Sequence, residues 1–67
     1  MTIREVYDKA DILAYADVKN GREHRTFKQI MEACFENSNF QNHPRYEDFC
    51  DNVEDIYSCN YQCYKGE

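Results

Sequence analysis

Between Tyr46 and Tyr57 the chain reads YEDFCDNVEDIY, which sets Glu47, Asp48, Asp51, Glu54 and Asp55 among Tyr46, Phe49, Val53, Ile56 and Tyr57. Carboxylates at this density can hold a cation, exchange protons, or present negative charge to a basic partner. Calcium requires the central glycine and alternating oxygen ligands of an EF-hand loop, and DFCDNVED has neither. Acid and base work requires two carboxyl groups in environments that separate their roles, whereas five acids along one exposed helix merely repel one another. A negative surface is the reading that survives.

Cysteine and histidine are the other chemistry-bearing residues. Cys34, Cys50, Cys59 and Cys63, or three of them with His43, have the donor types of a tetrahedral zinc site. Cys59 and Cys63 are four apart and share a helical side, but Cys50 lies nine residues before Cys59 and points the opposite way. The two-residue knuckle spacing is missing, so no metal is expected. A disulfide framework belongs to exported chains, and this sequence contains no export-signal pattern, although a mature chain that had lost its leader would look the same. Reduced, mainly structural thiols are expected. With two glycines, no phosphate loop and no serine nucleophile motif, the sequence implies no catalytic residues and no cofactor.

The elements that position these groups follow from a period of 3.6. Ile3, Val6, Tyr7, Ala10, Leu13, Ala14 and Val18 fall on one face, which predicts a helix over residues 3–19. Thr2 and Glu5 form a capping-box pattern at its start, and Asn20-Gly21 supplies a left-handed stop. Phe27, Ile30, Met31, Cys34 and Phe35 predict a second helix over 27–37, with Thr26 and Gln29 as its capping box. After the polar stretch NSNFQNHP, Pro44 suits the first turn of a third helix over 44–63.

At about 100° per residue, Tyr46, Phe49, Cys50, Val53, Ile56, Tyr57, Asn60 and Tyr64 span an arc of roughly 140° on that third helix. The five acids occupy an adjoining arc without lysine or arginine. The expected architecture is a single small all-α domain over 1–67, a bundle of three short amphipathic helices with Val6, Leu13, Phe27, Ile30, Phe49, Val53 and Ile56 as its core. Dimerisation is an alternative way to complete so small a core. Ile12, Tyr15 and Ala16, off the main stripe of the first helix, are either a second buried face or an interface.

Composition excludes several function classes. The 67 residues are 42% hydrophobic, too rich for a disordered acidic tail, and no run approaches the length of a membrane span. A cytoplasmic protein is expected. Net charge is −5, distributed as minus two over residues 1–18, plus three over 19–28 and minus six over 29–67. Such a field repels nucleic acid at long range, and a helix-turn-helix reading of the first two helices sets one lysine against two glutamates in the second.

The expectation is therefore a small acidic interaction module. Glu47, Asp48, Asp51, Glu54 and Asp55 would dock on a basic, nucleic-acid-binding type of surface of a larger protein, with Tyr15, Tyr57, Tyr61 and Tyr64 as anchors. A regulator or inhibitor of that partner, as an accessory protein of a phage or mobile element would be, fits this pattern. A self-associating adaptor with a tyrosine-rich surface is the alternative.

Overall fold

The computed structural model describes residues 2–36 and 38–66. Among them are three α-helices, α1 (Ile3–Lys19), α2 (Phe27–Cys34) and α3 (Tyr46–Lys65), plus a short 3₁₀ turn at Phe40–Asn42. The expected all-α three-helix bundle is present.

Local chemistry accounts for most helix ends. At the start of α1 the Thr2 hydroxyl oxygen accepts the Glu5 N–H at 3.3 Å and donates to the Glu5 carboxylate at 3.4 Å. At its end Gly21 takes φ +70°, so its N–H reaches the Val18 carbonyl at 3.1 Å and the Arg22 N–H reaches the Asp17 carbonyl at 2.8 Å. That pair of bonds is a Schellman motif, which satisfies carbonyls the helix itself leaves open. The capping box of α2 is complete, with Thr26 accepting the Gln29 N–H and the Gln29 side chain accepting the Thr26 N–H. Gly66 closes α3 at φ +85°.

Three boundaries differ from expectation, the smallest difference being the end of α3 at Lys65 instead of residue 63. The second helix ends at Cys34 instead of residue 37, the last of which lies outside the described residues. The carbonyl of Phe35 is claimed from outside the helix, by the N–H and hydroxyl of Ser38 and by the Gln41 amide, so competing bonds peel the chain away. Pro44 also precedes α3 instead of opening it. It sits in a turn in which Tyr46 N–H bonds the His43 carbonyl and Arg45 N–H bonds His43 Nδ1, and the first helical bond is from Phe49 to Arg45.

The helices run in alternate directions. Asp17 meets Arg25 where α1 gives way to α2, while Leu13 and Lys9 share a groove with Cys34 and Glu36 further along. Phe35 meets Tyr46 at one end of the next pair and Arg25 meets Tyr57 at the other. Helices α1 and α3 therefore run parallel, and they make the most extensive packing in the molecule. Ala10, Ala14 and the ring of Tyr57 are all without exposure and belong to one core cluster.

Val6, Ile30 and Val53 are fully buried as expected, while Leu13, Phe49 and Ile56 pack at the edge of the core. Phe27 departs from expectation at 46% exposure. As the first residue of α2 its side chain leans toward the helix N-terminus, past the end of the packed layer. Phe35, buried at the end of α2, takes the place of a large core aromatic. Its ring stands edge-on to Tyr46 at 5.2 Å and Phe40 at 6.4 Å, and Phe40 in turn meets Phe49 at 5.6 Å. This aromatic plug closes the connection from α2 to α3.

A Cβ at position 21 would meet nothing within 4 Å, so substitution there tests backbone conformation alone. Gly21→Ala is expected to destabilise the fold by about 1 kcal/mol, because an alanine pays the left-handed penalty that glycine does not. Urea denaturation measures this; an unchanged midpoint would show that the turn does not hold α1 in place.

Candidate interaction surface

Asp17 dominates the interior polar chemistry. It is 2% exposed and the one buried charged residue among those described. Its Oδ2 accepts Arg25 Nε at 2.6 Å and its Oδ1 accepts Arg25 Nη2 at 3.1 Å, a bidentate fork. The Tyr57 hydroxyl donates to the same Oδ2 at 2.6 Å and accepts the Arg25 backbone N–H at 3.2 Å. Burial by itself pushes the Asp17 carboxyl up, but the bonds from Arg25 and Tyr57 and the charges of Arg25 and Arg22 together hold it below its ordinary 3.8. Burial, followed by the bond to Asp17, drives Tyr57 up to about 12.

This node fastens the loop between α1 and α2. The Tyr61 hydroxyl donates to the Arg22 carbonyl. His24 Nδ1–H donates to the Arg25 carbonyl at 2.7 Å, which in the neutral ring leaves Nε2 to accept the Ser58 hydroxyl at 3.0 Å. The His24 ring stands edge-on to Tyr57 at 5.0 Å and Tyr61 at 5.2 Å. A serine bonded to a histidine is also the beginning of a hydrolytic dyad, but such chemistry needs donors converging on an oxyanion. The nearby guanidinium of Arg25 is already committed to Asp17.

Residue spacing carried a signal for Asp17. It stands four after Leu13 and three after Ala14, inside the apolar stripe of α1, and a charge in that position requires a buried partner. The partner itself, eight residues on across a non-helical loop, has no periodic signature.

The expected partner-binding residues divide into two groups. Glu47, Asp48, Asp51 and Asp55 are exposed and Glu54 is partly so. Among the described residues the one ion pair on this face joins Arg45 to Asp48 at 3.4 Å, between side chains that are 70% and 63% exposed. Tyr15 and Tyr64 are also at the surface, 51% and 44% exposed, with rings edge-on at 5.3 Å. The Tyr64 hydroxyl donates to Asp11 at 2.6 Å, and Lys19 Nζ lies 5.9 Å from the Tyr15 ring centroid.

Tyr57 and Tyr61 are interior, which corrects their assignment as surface anchors. The buried side of α3 runs through Cys50, Val53, Tyr57 and Tyr61, rotated toward Tyr61 from the arc that apolar spacing suggested. Their hydroxyls hold the α1–α2 loop, and that long-range demand sets the rotation. Ile12, at 65% exposure, and Tyr15 are not a second buried face.

The thiols separate as their spacing predicts, with Cys34 and Cys50 buried and Cys59 and Cys63 exposed, all four unbridged. Cys59 Sγ lies 3.7 Å from Asp55 Oδ1, and the Asp55 charge pushes that thiol up. Among the described residues no three His, Cys, Asp or Glu side chains converge as a metal site. No helix of the described residues is long and apolar enough to cross a membrane.

A groove of about 530 Å³ lies beside α2, lined by the apolar Phe27, Met31, Phe35 and Tyr46 and by Lys28, Glu32, Glu36 and Gln41. Nothing in the sequence pattern announced it, because it depends on the early end of α2 and the return of the chain through Gln41 and Tyr46. No protein-family model, curated protein or solved structure matches the chain.

Removal of the buried charge tests the node. Asp17→Asn is expected to destabilise the fold by about 2–3 kcal/mol, less than the loss for a fully buried pair, because Arg25 is 26% exposed and water can re-solvate it. The acid limb of the stability profile should flatten in the same variant. A carboxyl held below 3.8 contributes fully above that value and loses its contribution as pH falls through the folded pKa.

The alkaline limb has the opposite sign. Tyr57 contributes fully below 10.0 and loses its contribution as pH rises through about 12. The Cys34 thiol, which burial pushes up to about 11, weakens the fold earlier on the same limb. Tyr57→Phe should flatten the later part alone, measured by urea midpoints across pH; an unaltered limb would remove Tyr57 from this role.

Proposed function

We propose that this chain is a protein-interaction module that docks the acidic outer face of α3 on a basic surface of a larger protein, acting as a regulator or inhibitor of that partner. One observation carries the reading: five carboxylates share one side of a helix, four of them fully at the surface, and a single exposed arginine at the helix start is their one ion-pair partner among the described residues. A solvated helix face ordinarily mixes signs and gains from pairs three or four residues apart. Carboxylates about 5–6 Å apart along a helix also approximate a row of phosphates, which suits a partner surface that otherwise holds nucleic acid.

The rest of the molecule supports the same polarity. The connection between α1 and α2 gathers Lys19, Arg22, Arg25 and Lys28 at one end of the bundle, while the acids of α3 begin at the other. Arg25 spends its charge internally on Asp17. The resulting dipole along the long axis would orient the chain during encounter with a charged partner. A second reading, self-association through Tyr15, Tyr64 and Ile12, is favoured by their exposure alone.

Capture from a bacterial lysate with the tagged chain, washed at low and then raised salt, identifies the partner by mass spectrometry. With that partner in hand, Asp51→Lys combined with Asp55→Lys should slow association by about ten-fold or more at low salt, with helicity unchanged by circular dichroism. Full affinity of this double variant at low salt would overturn the reading. Recovery of the chain alone, with dimers in sedimentation, would favour the self-associating alternative.

A further inference from the structure

We propose that the groove along α2 receives a basic amphipathic helix of a partner protein, its apolar side chains packed against the exposed ring of Phe27 over the floor formed by Met31 and Phe35, and its lysines or arginines set against Glu32 and Glu36. This rests on the reading of the acidic α3 face as a docking surface, since one basic partner would engage both. The groove is built for an apolar insertion. Phe27 is the exposed apolar side chain of its lining; Met31 and Phe35, four and eight residues on and 7% and 2% exposed, form the floor, and Tyr46 packs on Phe35 at the far end. Recognition of a helix in a groove reads apolar anchors at this spacing. Phe27 is half exposed although large and apolar, and burying it is the gain that binding offers.

Charge selects the class of occupant. Glu32 and Glu36 are exposed and in no ion pair among the described residues, against the single cation Lys28, and the Tyr46 wall continues directly into Glu47 and Asp48. A second copy of the chain fits poorly, because it would bring the same excess of carboxylates, Glu32 and Glu36 against one Lys28, to the rim of a molecule of net charge −5. Nucleic acid is repelled by the same edge. A basic helix meets both the floor and the rim.

The test uses a fluorescent synthetic peptide of leucine and lysine patterned as an amphipathic helix, beside a scrambled peptide of the same composition. Anisotropy should show the patterned peptide binding at least ten-fold more tightly, and the Met31 methyl resonance should shift on its addition. Phe27→Ala, and separately Glu32→Lys with Glu36→Lys, should each weaken binding by about ten-fold, with circular dichroism verifying the fold. Equal affinity for the two peptides, or binding that leaves Met31 unmoved and Phe27→Ala unaffected, would overturn the proposal. Concentration-dependent shifts of Met31 without peptide, with dimers in sedimentation, would place a second copy in the groove and overturn it too.

Asp51→Lys with Asp55→Lys separates the two readings. Binding lost in that variant but kept in Phe27→Ala leaves the α3 face standing and removes the groove. Binding lost in Phe27→Ala but kept in the α3 variant supports the groove, and the affinity of the captured partner for the α3 variant then decides the α3 face.

Discussion

The buried carboxylate of Asp17 is the constraint on which the remainder of the bundle is arranged. It sits in the last turn of α1, where the helix dipole already disfavours negative charge, and it is almost wholly removed from water. Such a group persists in its charged form only with close partners, and it takes three bonds from two of them. Arg25 must therefore fold back on α1, which fixes the loop, and Tyr57 must point inward, which fixes the rotation of α3. The Asp17 backbone serves the same turn, because its carbonyl accepts the Arg22 N–H that locks the Schellman stop. One residue thus joins the end of α1, the start of α2 and the middle of α3.

The consequences for the surface follow from that rotation. With Tyr57 and Tyr61 turned to the interior, the arc holding Glu47, Asp48, Asp51 and Asp55 faces solvent, and Glu54 lies at the boundary. The extensive packing of α1 on α3 leaves α2 as the shorter, outer member of the bundle. A helix of 8 residues cannot cover the flank of a 20-residue neighbour, and the chain between them fills the remaining space with an aromatic plug. Beside that plug the groove along α2 stays open. The acids and the groove are therefore two products of one packing solution.

Their juxtaposition has a physical logic for recognition. Exposed charge gives long-range attraction and orientation but little net affinity, while an apolar groove gives affinity but little range. Under the proposed function, a surface that offers both would meet a basic amphipathic partner in two stages, attraction by the acids and then burial of apolar side chains. The two exposed tyrosines, Tyr15 and Tyr64, lie against α1 and are already engaged with Asp11, Lys19 and each other. Their main service within the chain is to tie the end of α3 to α1.

The all-α class, the span of α1, both of its caps and the start of α2 were legible in the residues alone, because helix periodicity and capping are matters of neighbours three and four apart. The same local code segregated the acids of α3 and set Cys50 inward against Cys59. What it could not supply was any pairing across the loops. The end of α2 was decided by Ser38 and Gln41 competing for a carbonyl, the inward turn of Tyr61 by the Arg22 backbone, and the exposure of Phe27 by where the packed layer stops. Tyr57 lies 40 residues from Asp17, and no periodicity links them. Local spacing determined which faces could be buried, and the tertiary structure decided which were, because a buried charge must find its partners wherever the chain brings them.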